Sequence, residues 1–154
     1  AIGIVGLSIG GAASIYAAAR DSRITSVATV GAFSNPYEVM KETLQQHHIP
    51  FMPMGWLIMK YLEFRVGFTF KSVAPEKHIG KSDAQFLLIH GDADETIAPG
   101  HLGRLTRSAK SGNASSWMIP SRGHSNCHLE EGFWERLTDH LKKTLNPKPP
   151  AALT

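Results

Sequence analysis

Three short stretches carry the residue types needed to break an acyl bond. Gly6-Leu7-Ser8-Ile9-Gly10-Gly11 follows an apolar run, Ile2–Val5, and fits the pattern G-x-S-x-G. A serine on a sharp strand-to-helix turn presents its hydroxyl outward, and its neighbours two positions away must lack bulk. The Ile9 N–H, at the helix start, would face a developing oxyanion. A later apolar run enters His90-Gly91-Asp92-Ala93-Asp94-Glu95, whose carboxylates could orient an imidazole and stabilise its cation. Ser121-Arg122-Gly123-His124 supplies the imidazole. Nucleophile, acid and base thus stand far apart along 154 residues.

Other residues compete for these roles. Asp92 and Glu95 stand beside Asp94, and Asp92 reads as a turn former bonding its own backbone. His128 competes with His124, but the Gly-His context favours His124. His90 reads as closing its strand with a backbone-directed hydrogen bond. Cys127 lies near His124 without an activating helix start, so it reads as an unreactive thiol. His47, His48, His78, His101 and His140 read as solvent-facing, and no pair has metal-ligand spacing with an acid partner.

The elements that must position these groups alternate between strand and helix. Strands are expected at Ile2–Val5, Ile24–Val30, Phe86–His90 and Ser116–Ile119. Gly10–Arg20 is an Ala-rich helix with a face small enough to lie close on a sheet. Asn35-Pro36-Tyr37-Glu38 reads as a helix start, with Asn as cap and Glu reaching back. Residues 36–70 look helical and irregular, and the Met- and Trp-rich stretch Phe51–Tyr61 reads equally as packed core or as a lid over an acyl pocket. Pro99–Lys110 and Glu130–Leu145 complete the helices, the last with Phe133, Leu137, Leu141 and Leu145 on one stripe. The outcome is an α/β chain with an open, mostly parallel sheet of about four strands. In such sheets active groups gather at the carboxyl ends of the strands, where all three stretches fall.

Composition narrows the function. Apolar residues at 42% and charged residues at 19% describe a globular domain, and excess charge is small: 16 Lys+Arg against 13 Asp+Glu gives +3. Only Lys142, Lys143 and Lys148 cluster, which argues against nucleic acid as a partner. A single cysteine excludes an internal disulfide and a Cys-rich zinc site. No apolar run is long enough to span a bilayer. A cytoplasmic setting is the expectation.

The sequence resembles the α/β-hydrolase family, in Gly6-Leu7-Ser8-Ile9-Gly10 as nucleophile elbow, His90-Gly91-Asp92-Ala93-Asp94 as acid turn and Gly123-His124 as base loop. The nearest flavour is that of serine esterases and lipase-like hydrolases of the serine-aminopeptidase-type branch. The resemblance implies a triad of Ser8, Asp94 and His124, with the Ile9 N–H in the oxyanion hole. Asp94 is preferred because the family's acid lies four residues after the His-Gly histidine. It further implies a core of residues 1–33 and 81–146, a helical cap at 34–80, a frayed tail at 147–154, a small ester or acyl substrate, and no metal or organic cofactor. By the same likeness the family's first four strands and the loop giving a second oxyanion donor are absent. That leaves Ile2–Val5 as a bare apolar edge through which two copies could pair. Two functions stay open: a carboxylesterase-like serine hydrolase, or an incomplete hydrolase-like module acting in binding or assembly.

Overall fold

The computed structural model describes residues 1–146, so the expected tail at 147–154 lies outside the described residues. Four strands, β1 (Ile2–Leu7), β2 (Ile24–Val30), β3 (Gln85–Gly91) and β4 (Ala114–Ile119), pair in that order, and all three pairings are parallel. Each runs one to two residues beyond its expected end or start. The exception is β2, which matches.

Helices cover both faces. β3 shows why: Phe86 and Leu88 point into one apolar cluster, Leu87 and Ile89 into the other. A strand buried on both sides reads as an unbroken apolar run. The first cluster gathers Ile15 and Ala18 of α1 (Ile9–Ala18) with Leu102 and Leu105 of α4 (Gly100–Ser108). The second gathers Phe133 and Leu137 of α5 (Phe133–Leu145). α5 starts three residues later than expected, because Cys127–Leu129 forms a single 3-10 turn and Gly132 takes a left-handed conformation, φ 75°. α1 lies close on the sheet as its small residues predict. A Cβ on Gly11 would sit 2.9 Å from that of Ala32.

Between β2 and β3 the chain forms α2 (Pro36–Gln46), α3 (Trp56–Val66) and short 3-10 turns. Asn35 caps α2 as expected, its Oδ1 accepting from Tyr37 N–H at 3.0 Å. Glu38 does not reach back to the cap. Its carboxylate lies 3.9 Å from Arg104, and Asn35 instead donates to Glu76 at 2.8 Å. Within Phe51–Tyr61 only Gly55 and Met59 are buried, whereas Met52, Met54, Leu57 and Tyr61 are exposed, so this stretch is not packed core.

Candidate active site

Ser8 occupies the turn between β1 and α1 with φ 53° and ψ −119°, a conformation L residues rarely adopt. Its N–H donates to the Val30 carbonyl at 2.8 Å, which ties the turn to the end of β2. Gly6 is what permits the turn: a Cβ there would fall 2.5 Å from the backbone of Gly10. Gly10 itself is under no such demand, since a Cβ there would meet nothing within 4 Å. The expectation that both glycines are sterically required is therefore corrected to Gly6 alone. Although Ser8 stands at the N-cap position, where serine ordinarily bonds the first turn, its side chain makes no capping hydrogen bond.

Asp94 is buried on the turn after β3. Its Oδ1 accepts from the N–H groups of Thr96 and Ile97, each at 2.9 Å, and its Oδ2 faces His124 Nδ1 at 2.8 Å. With a carboxylate opposite, Nδ1 carries the proton and Nε2 keeps its lone pair. His90 does close its strand on the backbone, with Nε2 at 2.9 Å from the Ile97 carbonyl oxygen. The same nitrogen lies 3.2 Å from Asp94 Oδ2. Both neighbours are acceptors, so Nε2 is the donor nitrogen of His90, bonded to the Ile97 carbonyl and close behind the carboxylate. Three N–H groups thus bond one acid.

The loop bearing His124 is sewn to the acid turn. Ser121 N–H donates to Asp92 Oδ1 at 2.6 Å, Ala93 N–H to the Arg122 carbonyl at 3.0 Å, and Asp92 N–H to the Ile119 carbonyl at 3.0 Å. Asp92 therefore does not bond its own turn as expected. It binds the neighbouring loop, because β4 brings Ser121 within reach. Gly123 N–H is held by Asn126 Oδ1 at 2.6 Å. Glu95 and His128 are exposed, and neither pairs with the other members. Cys127 is buried and burial pushes its thiol up from the ordinary value, as befits an unreactive side chain.

Gly31 completes the arrangement, and sequence reasoning missed it. Following β2 with φ 60°, it lies beneath the imidazole, where a Cβ would be 3.1 Å from both Nδ1 and Cε1 of His124. Val30, its predecessor, accepts from Ser8, so the Ser8 turn and the His124 imidazole both sit at the end of β2. Among the described residues no hydrogen bond joins Ser8 to His124. The only signal available beforehand was a glycine directly following a strand.

The remaining histidines divide. His47 and His48 are exposed as expected, but His78 and His101 are buried and His140 is half-buried. His101 is drawn in because its Nδ1 accepts from Ser34 N–H at 3.1 Å and its Nε2 faces Glu42 at 3.1 Å; burial pushes its pKa down. His78 is held by the Ser72 carbonyl at 2.6 Å.

From Ile9 onward, α1, α2 and α3 flank an apolar groove of about 470 Å³. Ile9, Ala12, Ala13 and Tyr16 form one wall, and Met40, Met59 and Leu62 stand opposite.

No family model matches the chain. A curated relative, the uncharacterized membrane protein YNL320W of Saccharomyces cerevisiae, is 28% identical over 60 residues, 39% of this chain and 21% of that protein. Among solved structures, acetyl xylan esterase 1 from Thermoanaerobacterium superposes with a TM-score of 0.69 at 18% identity, over 94% of this chain and 45% of the esterase. The Pyrococcus furiosus esterase Pf2001 gives 0.69 at 16% identity, covering 94% and 55%. An α/β hydrolase from the metagenome of Moroccan lagoon sediments gives 0.62 at 16%, covering 92% and 61%. The chain spans about half the length of these solved proteins and a fifth of the yeast relative. Its four-stranded parallel sheet and flanking helices are part of the α/β-hydrolase fold.

Proposed function

We propose that the protein hydrolyses carboxylic esters, or related acyl bonds, through an acyl-serine intermediate. One observation carries this reading: a serine in a strained strand-to-helix turn, its hydroxyl not spent on capping, shares a rim with a carboxylate-bound imidazole. In this mechanism Ser8 Oγ attacks the carbonyl carbon while His124 Nε2 takes its proton. The tetrahedral oxyanion forms near the Ile9 N–H at the start of α1. Collapse expels the alcohol, which leaves with the proton from His124. Water, deprotonated by the same nitrogen, then releases the acid and restores Ser8. Asp94 holds the imidazole in the required tautomer, and the Thr96 and Ile97 N–H groups hold Asp94. Hydrogen bonds of this kind are often long without substrate and tighten when it binds, which accommodates the unbonded Ser8–His124 pair.

A fluorophosphonate probe tests the reading. The folded chain is expected to acquire one adduct, located at Ser8 by peptide mass spectrometry and lost in Ser8→Ala. The missing Ser8–His124 hydrogen bond favours a second reading, a hydrolase-like module that binds without reacting. A folded chain that takes no label supports that one instead.

The groove beside Ile9 would receive the apolar part of the ester. Each methylene buried there is worth roughly 0.8 kcal/mol, so kcat/KM should climb about fourfold per carbon from p-nitrophenyl acetate until the groove is full. Ala13→Trp, which fills the groove, should flatten that series while Ser8 still labels. A flat series in the parent chain would remove the groove from the proposal.

A further inference from the structure

Helix α3 buries an acid and leaves much of its apolar surface outside. Its buried positions are Met59 and Glu63, whereas Leu57, Ile58, Tyr61 and Phe64 are exposed, Phe64 to 82%. Glu63 fixes this rotation. Its Oε1 accepts from the Tyr37 hydroxyl at 2.7 Å and from Phe70 N–H at 2.8 Å, and its Oε2 accepts from Lys60 Nζ at 2.8 Å. Rolling the helix to hide its apolar side would strip a buried carboxylate of all three donors.

The spacing of 57, 58, 61 and 64 puts those side chains on one helical face, and exposed Met54 and Phe68 extend it at either end. Large apolar side chains exposed together on one helix face mark an interaction site. Charge identifies the partner. Between His47 and Pro75 the only acidic residue is Glu63, paired with Lys60, while Arg65 and Lys71 are exposed. Arg65 lies within the apolar face and donates to the Tyr61 hydroxyl at 3.1 Å. A second copy would set like charges against each other. An aromatic and aliphatic helix face flanked by Lys and Arg, with no exposed carboxylate, instead suits the boundary between headgroups and acyl chains of an anionic lipid layer. α3 has 11 residues, and none of the described helices is long and apolar enough to cross a membrane, so the contact is with the surface.

We infer that the outward face of α3 docks the protein on an anionic lipid surface. Flotation with phosphatidylcholine vesicles, with and without phosphatidylglycerol, tests this. The chain is expected to float with the phosphatidylglycerol vesicles and to stay behind with phosphatidylcholine alone, and added salt should release it. Leu57→Asp with Phe64→Asp should abolish flotation. Arg65→Gln with Lys71→Gln should weaken binding about thirtyfold. All four side chains are exposed, so far-ultraviolet circular dichroism should not change. Absence of flotation, or equal flotation of the Leu57→Asp, Phe64→Asp variant, would overturn the inference. So would light scattering that finds paired copies separated by that same double substitution.

Discussion

Asp94→Asn is expected to yield a folded protein whose ester turnover and rate of fluorophosphonate labelling fall about ten-thousandfold. The amide can keep its oxygen toward Thr96 and Ile97, so the turn survives. Its NH2 then faces His124 Nδ1 and asks that nitrogen to accept. The proton moves to Nε2, where it blocks removal of the serine proton. A second conflict adds to the first. His90 Nε2 is committed as a donor to the Ile97 carbonyl and lies 3.2 Å from the same oxygen of Asp94, so an NH2 group there brings two donors close together. Loss of activity should therefore come with little loss of secondary structure. Asp92→Asn provides the contrast, because Asp92 touches no imidazole and its Oδ1 needs only to accept from Ser121. Equal activity of the Asp94→Asn variant and the parent would remove Asp94 from the mechanism.

Gly91→Ala should cost about 3 kcal/mol of stability, read as ~10 °C in Tm, and should suppress labelling of Ser8. Gly91 is the last residue of β3, in register with Ile119. A Cβ there would overlap the Arg122 carbonyl oxygen and lie 3.0 Å from that of Gly123. Both obstacles are backbone, and the Arg122 oxygen is already engaged by Ala93 N–H. The base loop has to retreat, carrying His124 away from the rim. Gly10→Ala is the matched control: with open space around its Cβ at a helical position, it should not lower Tm and should leave labelling unchanged. Identical melting of Gly91→Ala and the parent would show that the loop yields freely.

Much of this was legible in the residues. The apolar run Phe86–His90 marked β3, and the Phe133, Leu137, Leu141 stripe announced α5. Gly6-Leu7-Ser8 gave the elbow because its steric demand is local. What stayed hidden depended on distant partners. His101 is buried by Ser34 and Glu42, which lie 67 and 59 residues away in sequence. Gly31 is one of 14 glycines, and only the fold brings an imidazole over it. The orientation of α3 was equally illegible. Trp56-Leu57-Ile58-Met59-Lys60-Tyr61-Leu62 is apolar almost all round, so no periodicity selects a buried side. Glu63 decides it, through Tyr37 and Phe70 on neighbouring segments.

Asp92 and Asp94 leave one turn with different tasks, the first gripping the backbone of the base loop and the second gripping its imidazole. The acid turn and the base loop therefore behave as a single cassette. Any attempt to transplant the histidine segment into another scaffold would have to carry residues 91–97 along with it.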